Sequence, residues 1–328
     1  MASYKGIKGF TIQYLASDPT ANTGQVWYNS STNLLKYTGV TTSGSWTSGG
    51  NLGTSSGAGA SAGTQTAAIY MGRNISGTAT TTTSEKYDGS SWTATPTLNT
   101  ARQAGQGVGT QGAAVVIAGQ SGGSLTTAVE NFDGNSWATG TAVTNAVRSS
   151  GSSTSGTQTA MVNFGGIAAS GTGETTTESW NGSSWTSSGA MSTGRYRLGS
   201  AGTQGAALAF GGFAGTSRQS VTEEYDGSSW TGGGALGTAR YGGGSAGLQG
   251  AALFMGGEQN FPTTPSAAVE QYDGSSWTAG TAVPTAKNMT SGAGTTAAAL
   301  MFGGLPHTNA TFEFTGAGSP LTKTISTE

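Results

Sequence analysis

Two periodic charge series are the strongest chemical signal in the chain. Arg102, Arg148, Arg195, Arg240 and Lys287 recur at intervals of 45–47 residues, and Glu85, Glu130, Glu178, Glu223 and Glu270 run beside them at 45–48. Two readings are open. The series can form repeated ion pairs, which bidentate Arg–carboxylate geometry favours. Alternatively the bases line one mouth of a ring and attract an anionic sugar or carboxylate. Catalytic sets are harder to find. Cys is absent and His307 is the single His, which excludes a thiolate nucleophile and a Cys-built zinc site. No GxSxG elbow or recurring acid–base spacing surrounds His307, so no Ser-His-Asp set is suggested, and the bland reading is a solvated loop side chain. Asp88, Asp133, Asp226 and Asp273 are each followed by Gly. Such an Asp accepts backbone hydrogen bonds in a hairpin turn, and four of them on separate repeats make no calcium cage. No GxG stands between a strand and a helix, so no phosphate loop is implied. The expectation is no catalytic residues, no metal and no cofactor.

The elements that must carry these residues follow from composition and repetition. Gly supplies 58 of 328 residues, and charged residues only 9%, against about 7% and about 25% in ordinary domains. A collagen period is missing and Pro numbers only 7. Eight Trp, ten Tyr and ten Phe are too many for a solvated tail. The formal charge of −2 suggests no nucleic-acid or membrane-surface partner. No apolar run is long enough to cross a membrane. Residues 1–20 lack the apolar core of a secretion signal, so the expectation is synthesis in a cytoplasm.

Six Trp, at 46, 92, 137, 185, 230 and 277, stand 45–48 residues apart. Five close one phrase: KYDGSSW, NFDGNSW, SWNGSSW, EYDGSSW and QYDGSSW. Trp46 ends the looser KYTGVTTSGSW. An apolar phrase recurs out of phase: AAIYMGR, AAVVIAG, AMVNFGG, AALAFGG, AALFMGG and AALMFGG. A period near 46 is that of a four-stranded propeller blade. Each unit reads as a Gly-alternating strand (ARQAGQGVG, 101–109), a GTQG-type turn, the apolar strand, a longer loop, an alternating third strand, a DGSS hairpin turn and a fourth strand with the Trp.

A double Gly after an apolar strand, then Tyr, then Trp about six residues on, resembles the kelch repeat. The first two copies depart from it, ending in MGR and AGQ. The resemblance implies an all-β, six-bladed kelch-like β-propeller over 36–316, preceded by an N-terminal hairpin and anchor segment (1–35) and followed by a tail or closing strand (317–328). Either Tyr37 to Trp46 completes the last blade as its third and fourth strands, or ATFEFTG (310–316) and LTKTIST do. Copper oxidases on kelch-like propellers need a Cys-linked Tyr and two His, which this chain cannot supply.

In an up-down blade the loops from strand two to three share a face with those leading into strand one. These loops are long and dissimilar, and in repeat proteins such insertions often mark the binding face. Arg73, Phe213, Arg218, Phe261 and His307 are candidates there, with Arg197 and Tyr241 near the adjoining strand starts and Arg195 and Arg240 from the basic series. The phrase GQVWYNSSTNLLKYTG and the Ser/Thr/Gly/Ala-rich composition resemble bacteriophage tail-fibre and other virion proteins. That resemblance implies a non-enzymatic, tail-associated virion component present in multiple copies. Residues 1–35 would join it to other virion proteins, and the propeller would meet a host-surface glycan or neighbouring subunits. Capsid decoration and a polysaccharide-active, sialidase- or lyase-like enzyme are the alternatives.

Overall fold

A computed structural model describes residues 12–19, 25–40, 43–75, 79–260, 264–317 and 320–324. The chain divides into two compact units, residues 46–314 and a smaller one made of 1–45 with 315–328.

The larger unit is built from six four-stranded antiparallel sheets. Sheet one runs Ala60–Thr64, Ala67–Met71, Ser84–Tyr87, Trp92–Thr95, and sheet two Gln106–Thr110, Ala113–Ile117, Val129–Phe132, Trp137–Thr139. Sheet three is Gly151–Ser152, Met161–Phe164, Thr177–Trp180, Trp185–Ser188, and sheet four Gly199–Thr203, Ala206–Phe210, Thr222–Tyr225, Trp230–Gly233. Sheet five is Gly244–Leu248, Ala251–Met255, Val269–Tyr272, Trp277–Ala279. Sheet six takes Ser291–Gly294, Ala298–Phe302 and Thr311–Thr315 from the end of the repeats, and Ser45–Ser48 from their beginning. Its assembly is thus a mixture of the two arrangements expected: ATFEFTG supplies the third strand and the Trp46 segment the fourth. Tyr37 lies in neither, because its strand, Leu34–Val40, belongs to the smaller unit.

The repeated side chains explain the packing. In every sheet an aromatic of strand three stacks on the Trp of strand four: Tyr87–Trp92, Phe132–Trp137, Trp180–Trp185, Tyr225–Trp230, Tyr272–Trp277 and Phe314–Trp46, with centroids 4.9–5.3 Å apart. Such a pair contributes about 0.5–1.5 kcal/mol beyond the area it buries. Each indole N–H then donates to the preceding sheet or the segment leaving it. Trp137 reaches Pro96 O, Trp185 Thr141 O, Trp230 Thr177 Oγ1, Trp277 Thr222 Oγ1 and Trp46 Thr281 O, at 2.8–2.9 Å. Trp92 of sheet one reaches Thr311 Oγ1 of sheet six at 2.9 Å. The apolar clusters follow the same rule, each formed by neighbouring sheets, including Tyr70, Tyr87 and Trp92 of sheet one against Leu300 and Phe302 of sheet six.

The Gln of the GTQG turns does more than turn the chain. Gln111 Nε2 donates to Ala68 O and Tyr87 O of the preceding sheet (3.0 and 2.5 Å), and Gln158, Gln204 and Gln249 repeat the pattern. Gln65 reaches Ala299 O and Phe314 O of sheet six. The first strands lie side by side in order, with that of sheet six beside that of sheet one. Gly is required there: a Cβ on Gly107 would stand 2.2 Å from Ser61 O of the adjoining strand.

In the smaller unit Val26–Asn29 and Leu34–Val40 form the expected hairpin, in register Val26↔Tyr37 to Asn29↔Leu34. Gln13–Leu15 adds in parallel and Pro320–Thr324 antiparallel. Asp18 gathers the polar groups: Trp27 Nε1, Asn29 Nδ2 and Lys36 Nζ all donate to it. Those bonds, the Lys36 one foremost, hold its carboxyl below the usual range.

Candidate functional site

The basic series divides once its side chains are placed. Arg102, Arg195 and Arg240 are fully buried and pair with Glu130, Glu223 and Glu270 at 2.5, 3.0 and 2.9 Å. Each pair is made within one repeat. The carboxylate also accepts backbone N–H groups from the segment entering that sheet, such as Asn99 and Thr100 for Glu130. Sheet one has Ser56 in the position of these arginines, and Arg73 supplies the guanidinium to Glu85 instead, at 2.5 Å. Arg73, which stands where later repeats have their second Gly, is buried for that reason. Arg73, Arg195 and Arg240 are therefore not presented to a ligand, contrary to expectation. Burial lowers the Arg195 guanidinium to about 10, opposed by Glu223.

Arg148 breaks the series. The bridges Gly57↔Asn74, Gln103↔Gln120, Arg148↔Ile167, Tyr196↔Phe213, Tyr241↔Glu258 and Asn288↔Leu305 place it in register with Gln103 and Tyr241, one residue beyond Arg102 and Arg240. Val147, buried, occupies the ion-pair position. Glu178 is satisfied by Thr144 and Asn145 instead. A one-residue offset turns a side chain to the opposite face, and Arg148 points into a recess with Arg197.

That recess holds about 320 Å³ and is lined by Asn74, Gln103, Arg148, Arg197, Tyr241, Glu258, Asn288 and His307 with the backbone of Ala58, Ala104, Ser149 and Met289. Its floor is a chain of left-handed residues. Ala58, Ala104, Ser149, Arg197 and Met289 hold φ of 49–55°, and Gly242 holds 67°. Ala104 N–H donates to Ala58 O, Ser149 to Ala104, Arg197 to Ser149, Gly242 to Arg197, and Ala58 to Met289, at 2.7–3.0 Å. Five non-Gly residues in this conformation cost about 1–2 kcal/mol each. Strain of this kind persists where the surroundings enforce it, and it clusters at ligand clamps.

Arg197 and Arg218 flank the Tyr241 ring, each guanidinium 5.6 Å from its centroid. Glu258 is buried; its carboxylate accepts from Arg218 Nη2 at 2.9 Å and Asn288 Nδ2 at 2.8 Å. Burial and the hydrogen bond to Glu258 push the Tyr241 phenol up to about 12. Phe213 packs tilted against Tyr196 and edge-on to Tyr241, and does not line the pocket. His307 is not merely solvated: Nε2 lies 2.6 Å from Asn74 Oδ1, whose amide donates to Gln103 Oε1 at 2.7 Å. Phe261 lies outside the described residues.

Among the described residues neither Arg148 nor Arg197 faces an ion-pair partner. Burial lowers the Arg197 guanidinium, and the nearby Arg148 charge adds to it. Asn288 Oδ1, on a side chain 8% exposed, has no hydrogen-bond donor. Two cations outside any ion pair, a π face and a spare amide acceptor suit an anionic, hydroxylated ligand. Below the floor a narrower space runs between the first strands, past Gly107, Ser200, Ser245 and Gly292. Sheet three carries two extra residues there, between Ser149 and Gln158, where each other repeat has seven steps from the left-handed residue to its Gln or Thr counterpart. Ser155 in that insertion donates its N–H to Gly202 O (2.9 Å) and its hydroxyl to Gly247 O (3.1 Å), spanning to sheets four and five.

No protein-family model matches the chain, and no curated protein matches it by sequence. Among solved structures, that of YjhT superposes with a TM-score of 0.65, covering 84% of this chain and 95% of the other at 12% sequence identity. Identity that low carries the fold and none of the chemistry. Together with the sheet organisation above, it makes this chain an all-β protein with a β-propeller fold.

Proposed function

We propose that the chain is a non-enzymatic binding propeller of six kelch-type blades, borne on a phage virion and tail-associated, whose Arg148–Arg197 pocket takes an acidic sugar of the host surface. The observation that carries the binding reading is the pair of guanidiniums in one recess, neither in an ion pair among the described residues, with the one carboxylate of the lining, Glu258, bonded to Arg218 and Asn288. The virion assignment is supported by the Ser/Thr/Gly-rich, Cys-free composition and by the N-terminal phrase, which folds as a separate small unit. Detection of the chain in purified particles tests it, and particles lacking the chain reject it.

Binding is tested with a panel of uronic acids by calorimetry. Arg148→Ala and Arg197→Ala should each weaken the best binder by about 10- to 100-fold, the value of a charge-assisted hydrogen bond. Unchanged affinity in both refutes the pocket. Glu258 and His307 give an enzymatic reading its foothold. Glu258 is, however, committed to Arg218, Asn288 and Tyr241. New reducing or unsaturated ends after incubation with host polysaccharide would overturn the non-enzymatic assignment.

A further inference from the structure

Arg148 borders a second recess. Beside the central pocket lies a groove of about 520 Å³ between the loop hairpin of sheet two (Gln120–Ser121 with Ser124–Leu125) and the corresponding loop of sheet three. Leu125, Ala146, Ile167, Ala168 and Ala169 give it an apolar side, and Gln120, Ser124 and Arg148 the polar groups. The sheet-three loop is held in place: Ile167 N–H donates to Arg148 O at 2.9 Å, and Gly171 N–H to Ala168 O at 3.1 Å. The positions matching Ile167 in the other five repeats are Asn74, Gln120, Phe213, Glu258 and Leu305. Only in this sector does a small apolar wall adjoin a guanidinium without a carboxylate partner, among the described residues.

Building on the proposed acidic-sugar pocket, we infer that the ligand is an acidic oligosaccharide of at least two units. Its acidic unit sits between Arg148 and Arg197, and the adjoining unit lies along the lateral groove with its C–H face against Ile167 and Ala168. Charge complementarity fixes the first unit. Continuity through Arg148, which reaches both recesses, fixes the direction in which the chain leaves. The other side chains lining the central pocket include the Asn74–Gln103–His307 network and the Glu258–Asn288 pair, each bonded within itself.

The test uses galacturonate, glucuronate and mannuronate as monomers and as 1,4-linked di- and trisaccharides. For the sugar that binds, the disaccharide should bind about tenfold or more tighter than the monomer, with little further gain in the trisaccharide. Ala168→Trp, or Ala169→Trp on the exposed shoulder of the loop, fills the groove. Either should bring the disaccharide down to monomer affinity while leaving the monomer within about twofold. Arg148→Ala should weaken both. Equal affinity for monomer and disaccharide, or a disaccharide indifferent to both Trp variants with the fold intact by circular dichroism, overturns the two-unit ligand and leaves the acidic-sugar pocket standing. Failure of every uronate and oligomer to bind overturns the pocket and this inference together.

Discussion

Arg102 and Arg148 stand 46 residues apart, yet their environments are opposite. Removing the Arg102 guanidinium strands Glu130 in a buried site where it has only backbone donors left. Arg102→Ala should therefore destabilise by about 3–5 kcal/mol, read by denaturant melts. Arg148→Ala removes a cation that satisfies no carboxylate and should stay within about 0.5 kcal/mol. Equal losses would sink the division of the series. Of the two readings of the basic series, the ion-pair one holds for Arg102, Arg195 and Arg240, while Arg148 lines the recess instead. What spacing could not show is the slip. An interval of 46 is as regular as 47, and only strand pairing shows that Val147, not Arg148, stands where Arg102 stands. The same limit hid Arg73. Its partner Glu85 is set by Ser56 being too short to reach the site, and nothing in the periodicity couples those two positions.

At the scale of the strand, the recurring Tyr/Phe-to-Trp phrase proves to be the stacked pairs, and the double Gly two successive left-handed residues, as at Gly211 and Gly212. The bonds between sheets were less legible, because a Gln in a polar turn looks like any surface residue until its carbonyl partners are placed. Gln111→Ala leaves Ala68 O and Tyr87 O without that donor. The expected loss is about 1–3 kcal/mol, whereas a turn-only role predicts almost none. Trp137→Ala should cost more, about 3–5 kcal/mol, since the indole both packs on Phe132 and donates to Pro96 O. The sixth repeat varies the theme: Phe312 replaces the buried Glu and Thr296 the Gln. Its fourth strand comes from the far end of the repeats, Ser45–Ser48. Sequence alone offered two candidates for that strand, and length and propensity do not separate them.

For the molecule as a whole, these repeats place like titrating groups at like positions, so its pH limits should be set by sets of residues acting in phase. In the hairpin turns Asp88 and Asp273 each accept two backbone N–H groups and two Ser hydroxyls. The bonds hold both carboxyls at about 2, and Asp226 and Asp133 are lowered likewise. A folded-state value below the unfolded one means that the stabilisation is complete above pH 4 and drains as pH falls from 4 toward 2. Sheet three carries Asn181, with the same turn bonds and no charge, so Asp→Asn at the other turns should keep the turn and flatten the acid limb. On the alkaline side Tyr87 donates to Glu313 of sheet six and Tyr272 to Glu224 of sheet four. Burial first, and the carboxylate second, raise both phenols from 10.0 to about 12. Here the unfolded chain loses its protons first, so stability is full below pH 10 and falls as pH rises toward 12. Melting temperature followed across both windows should show two sloping limbs around a flat centre. Tyr87→Phe with Tyr272→Phe should flatten the alkaline limb alone, and a wild-type protein already flat between pH 10 and 12 would mean that these phenols do not join one sheet to the next.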